Sequence, residues 1–377
     1  MTARIYSLDE FKLIPWPEDA SSVQNWFMPF SENPIQELIR NVQADIFFIH
    51  SGNVFLPLTL GHRAESNSYI CSPKSHYITY ALEEAEKLSP RPLGSFMKGV
   101  IRLLGAFLDR GSFEPAVYVN NWLLSTNLYS ELKEKEITTI HKLLLNRFDT
   151  FPIAFRSVDG SANPLLLNSL AKLGYEPVFS RYVWYQEPDS DKVRRKRSFK
   201  LDKQIFDKSG YTLISSEDFR TEDYLRAEVL YNQLYLDKYS PLNPQFTGLY
   251  MEKQCLSGAL QLRGLVREGR MDGVFGFYVR HGYGTCPIFG YDIGLPKTTG
   301  LYRALSYCWV EEASRLGVKI HASSGAGAFK KHRGAEPALE YNMVYTRHLP
   351  RAIQRRWHLL KVLTDRIAVP LIARQEL

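Results

Sequence analysis

The run TCPIFGYDIGLPKTTGL (Thr285–Leu301) reads as a strand from Thr285 to Leu295, a turn at Pro296-Lys297-Thr298-Thr299-Gly300, and a helix starting at Leu301. A glycine turn that opens a helix presents free backbone N–H groups and the positive end of the helix dipole, which together attract phosphate.

Working outward, the helix from Leu301 to Leu316 carries Leu301, Leu305, Cys308, Trp309 and Leu316 on one stripe and stops at Gly317. A strand Val318 to Ser323, a short helix from Ala328 and a strand Leu339 to Tyr345 follow. Upstream, Leu260 to Arg267 and Gly273 to Arg280 form a hairpin across Glu268-Gly269-Arg270. Before it come a strand Tyr211 to Ser215, a helix Tyr224 to Tyr239 broken by Pro241 and Pro244, and a helix Thr247 to Leu256.

The first half has a similar order. It reads strand Pro115 to Thr126, helix Glu131 to Phe148, strand Pro152 to Val158, helix Asn163 to Leu173 and strand Val178 to Gln186. Gly174, Glu176, Pro177 and Tyr185 match Gly334, Glu336, Pro337 and Tyr345 at one constant offset, which points to an internal duplication. The polar stretch Pro188 to Lys203 reads as the boundary between the halves.

The composition, 45% hydrophobic and 23% charged, is that of an ordinary globular chain. No apolar run has the length of a membrane span, and the N-terminus has no apolar core of a signal peptide, so a cytoplasmic location is expected. Four scattered cysteines, Cys71, Cys255, Cys286 and Cys308, fit free thiols; no metal is expected. The net charge is +7, and residues 347–377 hold seven Lys/Arg against two acids, hence +5. With Lys192 to Arg197 as a second basic run, anionic partners are favoured: CoA phosphates, an acidic carrier protein, nucleic acid or anionic lipid.

The strand–glycine-turn–helix run, with Ser323-Ser324-Gly325 and then Phe329-Lys330-Lys331-His332-Arg333-Gly334-Ala335, resembles the GNAT acyltransferase superfamily and its tandem-domain FemAB-like branch. The resemblance implies an α/β chain with α+β mixed sheets: two tandem GNAT-like domains and a C-terminal basic helix. Residues 1–187 would be an N-terminal domain without a donor site, 204–349 the domain with the acyl-donor site, and 350–377 a basic amphipathic tail. The usual phosphate loop ends in a small residue, whereas this chain has Tyr302 there, so a carrier protein becomes an alternative to CoA.

The resemblance implies an N-acyltransferase moving an acyl group, fatty acyl favoured, from acyl-CoA or an acyl-phosphopantetheine to a primary amine of a small molecule or peptide. Direct attack is expected, because no Cys or Ser sits in a recognisable nucleophile motif. Asp292 is the expected base, with Tyr291 and Tyr302 as catalytic partners. Ile293, Lys297, Thr298, Thr299, Gly300, Leu301, Ser323, Ser324 and Phe329 are expected at the donor. Tyr235, Asp237, Tyr239, Lys330 and Arg333 are expected at the acceptor; Lys330 and Arg333 share a helix face. His321 reads as a core histidine, and Ile353, Trp357, Leu360 and Ile367 as the docking side of the tail helix. Two other readings stand beside this one. They are aminoacyl transfer from aminoacyl-tRNA, as in FemAB enzymes, and a non-catalytic GNAT pair binding nucleic acid or anionic lipid.

Overall fold

Gly174 and Gly334 take the same left-handed backbone, φ +92° and +87°. Each follows a helix, and each is followed by a strand that opens on Glu-Pro. Glycine is the residue that enters this conformation without a Cβ penalty. The shared geometry supports the duplication.

The computed structural model describes residues 3–17, 20–86, 91–109 and 113–376. The first repeat runs β1 (Arg4–Ser7), α1 (Ser21–Glu32), α2 (Ile35–Leu38), β2 (Ala44–Ser51), β3 (Val54–Gly61), α3 (Tyr80–Glu86), α4 (Arg91–Asp109), β4 (Val117–Val119), α5 (Glu134–Arg147), β5 (Ile153–Asp159), α6 (Pro164–Lys172) and β6 (Glu176–Gln186). Helices α7 (Asp191–Arg194) and α8 (Arg197–Lys208) follow. The second repeat runs β7 (Thr212–Ser215), α9 (Thr221–Asn232), a π-helical turn at Gln233–Asp237, α10 (Gly248–Leu256), β8 (Gln261–Arg267), β9 (Arg270–Arg280), β10 (Tyr283–Tyr291), α11 (Leu301–Arg315), β11 (Lys319–His321), α12 (Gly327–His332) and β12 (Glu336–Tyr345). Helices α13 (Arg351–Leu363) and α14 (Val369–Glu376) close the chain. No helix among the described residues is long and apolar enough to cross a membrane.

Contacts divide the chain otherwise than the expected limits 1–187, 204–349 and 350–377. One unit is Met1–Ser180 with Leu242–Gln245 and Glu340–Leu371; the other is Arg181–Pro241 with Phe246–Leu339 and Ile372–Leu377. In the first, the strand order is β1-β2-β3-β4-β5-β12, antiparallel except for β4 beside β5. One face packs Leu56, Val119, Phe155, Ile140 and Leu144 under α5 and α6. The other packs Tyr118 and Val344 under α13, which docks through buried Ile353, Trp357 and Leu360.

In the second unit the order is β7-β8-β9-β10-β11-β6, antiparallel except for β10 beside β11. Its core gathers Leu265, Phe275, Phe277, Leu301, Leu305, Trp309 and Ile320. The stretch expected as a polar boundary, Pro188 to Lys203, is instead largely α7 and the start of α8. Val193 is fully buried, and Phe199 and Phe206 pack against this core with Asp202 buried between them in sequence. Three- and four-residue spacing puts Phe199, Asp202 and Phe206 on one face, a pattern that the surrounding charges obscure.

Helix α9 crosses β10 at Gly290, where a Cβ would stand 2.4 Å from the Leu230 carbonyl carbon. Gly290→Ala should therefore cost about 1–3 kcal/mol. Gly99→Ala on α4, where nothing lies within 4 Å of a Cβ, should gain about 0.5–1 kcal/mol. Urea midpoints followed by circular dichroism would check both signs.

Candidate functional site

Strand β10 pairs with β11 only from Tyr283 to Thr285. Beyond His321 the chain turns onto β6: the Ala322 N–H donates to the Trp184 carbonyl (2.8 Å), and the Trp184 N–H to the Ser323 carbonyl (3.1 Å). β10 continues to Tyr291, so its edge from Cys286 onward has no strand partner on this side among the described residues. Alternate residues of a strand direct their N–H groups to each edge, so the opening is bordered by backbone donors.

Two helix starts and one turn frame the opening. Gly300 has φ +70° and begins α11; a Cβ there would meet Ile205 of α8 at 2.7 Å. The Tyr302 ring lies 5.5 Å from Phe289, 5.9 Å from Tyr291 and 4.6 Å from Phe329 of α12. The π-turn packs against β10. Tyr235 stacks on Tyr231 at 4.8 Å, and Tyr239 lies 6.1 Å from Tyr235. Asp237 and Tyr239 are exposed. Burial pushes the Tyr302 and Tyr291 hydroxyls above the ordinary phenol range, so both stay protonated at neutral pH.

Several expected roles change with the geometry. Asp292 is buried and accepts from Arg226 (2.8 Å), Arg270 (2.5 Å) and the Gly294 N–H (2.9 Å). Burial by itself raises its carboxyl. Hydrogen bonds from Arg226 and Gly294, with the charges of Arg226 and Arg270, more than offset this and hold it below the ordinary aspartate value. A carboxylate so held is a poor base, and here it anchors the end of β10. Lys330 was expected at the acceptor; its ammonium instead donates to the Ala322, Ser323 and Ser324 carbonyls (2.6, 3.3 and 2.8 Å). Arg333 was expected there too, yet it grips Asp202 with Nε and Nη2 (2.6 and 3.0 Å), its guanidinium 3.3 Å from the Phe329 ring centre. The Leu301 side chain is buried in the core, which leaves only its backbone for a donor.

Lys297, Thr298 and Thr299 form a 3₁₀ turn leading into Gly300, with Lys297 exposed. The Ile293 N–H donates to Gln233 Oε1 at 3.4 Å. The Ser323 hydroxyl accepts from Arg181 (3.1 Å), and its N–H donates to Nδ1 of buried His321 (3.1 Å).

A pocket of about 580 Å³ adjoins the turn, lined by Gln204, Ile205 and Lys208 of α8, Arg267, Thr298, Thr299 and Arg303. Arg303 also donates to Asp202 (2.5 Å). The sequence reading missed Asp202, Lys208, Arg226, Arg267 and Arg270. For Asp202 the apolar spacing of α8 was a usable signal. For Arg226 no local signal exists, since its partner Asp292 is 66 residues away.

No family model matches the sequence, and no curated protein does. Among solved structures, FemX aligns at TM-score 0.52 and 9% identity, covering 96% of this chain and 100% of that one. L-PGS from Bacillus licheniformis aligns at TM-score 0.48 and 13% identity, over 69% of this chain and 96% of that one. A tandem GNAT protein from the clavulanic acid biosynthesis pathway aligns at TM-score 0.37 and 12% identity, over 93% and 99%. At such identities the likeness concerns fold. The fold is that of FemX.

Two substitutions test this geometry. Asp202→Ala strands two arginines and should cost about 3–5 kcal/mol in urea unfolding. Asp292 has a depressed folded-state value, so its stabilisation is complete above the unfolded value of about 4 and is lost as pH falls through the lower folded value. The stability gap between wild type and Asp292→Asn should be open at neutral pH and close in acid.

Proposed function

We propose that the second unit transfers an acyl group from an activated ester carrier to a primary amine. The observation that carries this reading is the unpaired edge of β10 beside the Gly300 turn. A thioester laid along that edge would meet backbone N–H donors at its carbonyl oxygen, where charge gathers during attack. The amine nitrogen forms the new C–N bond, the C–S bond breaks, a proton leaves the amine, and the thiolate takes one up. Tyr302, held protonated by burial, supplies a hydrogen bond to the departing sulfur. In this reading Asp237, exposed on the π-turn, attracts the acceptor's ammonium and passes its proton to water.

The favoured donor is a fatty acyl chain on CoA or on the phosphopantetheine of an acidic carrier protein. Phe289, Tyr302 and Phe329 offer apolar surface to the chain. Lys208, Arg267 and Arg303, with Thr298 and Thr299, offer a cationic, hydroxyl-lined pocket to the phosphates. The first unit is read as lacking a donor site. After β4, its chain buries Asn121, Trp122, Leu123 and Leu124; Asn121 donates to Thr59 (2.7 Å) and accepts from Arg156 (2.7 Å). That filled segment has no counterpart of the Gly300 turn.

A second reading, aminoacyl transfer from aminoacyl-tRNA, is favoured by one specific contact. Tyr302 against Phe329 narrows the place where a small residue would let a CoA diphosphate approach.

Intact-mass measurement of turnover would separate these. The panel is acyl-CoAs of rising chain length, acylated carrier protein, and aminoacyl-tRNA with a ribonuclease control. Consumption of one thioester supports the first reading; ribonuclease-sensitive transfer supports the second; no turnover with any donor overturns both. With the active donor, Tyr302→Phe should lower kcat about 10- to 100-fold with KM little changed. Lys208→Glu with Arg267→Glu should raise the donor KM by about tenfold.

A further inference from the structure

The two repeats differ most between their third and fourth strands. In the second repeat β9 and β10 are joined by residues 281–282; in the first, β3 and β4 are separated by residues 62–116, which contain α3 and α4. Helix α4 is therefore an addition to the shared plan, and only part of its wide apolar arc is covered. Leu108 is buried, and Ile101 and Leu104 pack inward. At the outer edge of the same arc Phe96 is 68% exposed, Leu103 76% and Phe107 40%. These three are seven and four residues apart, which aligns them on one stripe. Gly99 and Ala106, also exposed, border it, and Arg102 lies beyond them on the polar face. Single exposed leucines are ordinary, but two phenylalanines and a leucine in line on one helix are not.

Arg102 stands on the polar side of α4, where a hydrogen bond from Lys98, with the charges of Lys98 and Arg102, lowers the Glu86 carboxyl. The acids nearest along the chain, Asp109 and Glu86, are paired with Lys74 (3.0 Å) and Lys98 (2.6 Å). From α13, Arg356 reaches over the Phe107 ring (5.6 Å) and donates to the Phe107 carbonyl (3.3 Å). Arg351 and Arg355 on the same helix are exposed, and no acidic residue occurs in α13. The basic tail itself docks through Ile353, Trp357 and Leu360, so it contributes cations to this face while its apolar side is used up.

We propose that α4 lies in the interfacial plane of an anionic lipid bilayer, with Phe96, Leu103 and Phe107 inserted among the acyl chains and Arg102, Arg355 and Arg356 at the headgroups. The choice of occupant follows from charge complementarity: aromatic and aliphatic side chains beside the acid-free row of arginines on α13 match an acyl layer under anionic headgroups. This surface is independent of the acyl-transfer reading.

Co-sedimentation of the full chain with phosphatidylcholine vesicles, with and without phosphatidylglycerol, tests the proposal. The wild-type chain should bind the anionic vesicles, less so as salt is added, and leave the neutral ones. The Phe96→Ser, Leu103→Ser double variant should bind the anionic vesicles about tenfold or more weakly, and Arg102→Glu severalfold more weakly. Both substituted surfaces are exposed, so circular dichroism should be unchanged. Failure of wild type to bind, or binding that ignores the double variant, overturns the proposal. So does a wild-type dimer in sedimentation equilibrium that the double variant dissolves, since the face would then belong to a second copy.

Discussion

One buried carboxylate ties the second unit's opening together. Asp202 of α8 holds Arg303 in the first turn of α11 and Arg333 just past α12, with three nitrogens at 2.5 to 3.0 Å. Those two helices carry Tyr302 and Phe329, whose rings meet. Arg333 completes the circuit by covering Phe329 with its guanidinium. A buried ion pair contributes little net stability against an apolar replacement, but it fixes which groups face each other. Here it holds the start of α11 and the end of α12 to one carboxylate, which sets Tyr302 against Phe329.

The unpaired edge of β10 persists because both sides of it are held elsewhere. Lys330 takes up the three carbonyls that follow β11, and the Ser323 carbonyl also accepts from the Trp184 N–H of β6, so this segment is held away from β10. Asp292, between Arg226 and Arg270, fixes the far end of β10 against α9 and β9. Gly290 lets the α9 backbone lie directly on the strand. Preorganised donors on such an edge need no rearrangement when charge develops, which is the property the proposed transfer would use.

What was legible in the sequence was local. Gly300 and the α11 stripe announced a turn and a helix, and the Gly-Glu-Pro repeat announced the strands at Glu176 and Glu336, because each signal sits within a few residues. The failures were long-range. Asp292 looks like a base when read beside Tyr291; only the fold brings Arg226 to it. Lys330 and Arg333 look like free cations on a helix face until the carbonyls of residues 322–324 and the Asp202 carboxylate are placed against them. Residues 191–203 look like a charged linker because charge dominates their composition, while the few apolar positions that make them helical are sparse. Helix α4 went unread although Phe96, Val100, Leu103, Leu104 and Phe107 carry a clear helical period in the sequence.

The two repeats show how one plan yields an open edge once and a closed one once. In both repeats the parallel pair spans only three residues, β4 with β5 and β10 with β11, and after β10 the chain makes a glycine turn. After β4 the chain instead burrows inward, and Asn120, Leu123 and Ser157 are forced to positive φ of 56°, 58° and 56°. Left-handed backbone is unfavourable for a residue with a side chain, most of all for a leucine, so something must hold it. Asn121, Asn127 and Arg156 do so: Arg156 bonds Asn121 and the Leu124 carbonyl, and Asn127 bonds the Ser157 hydroxyl and the Trp122 N–H. A polar network of this kind is stable only when every member is satisfied. The proposed division of labour between the repeats thus rests on where their hydrogen bonds are spent: within this network in the first, and at an edge of β10 without a strand partner among the described residues in the second.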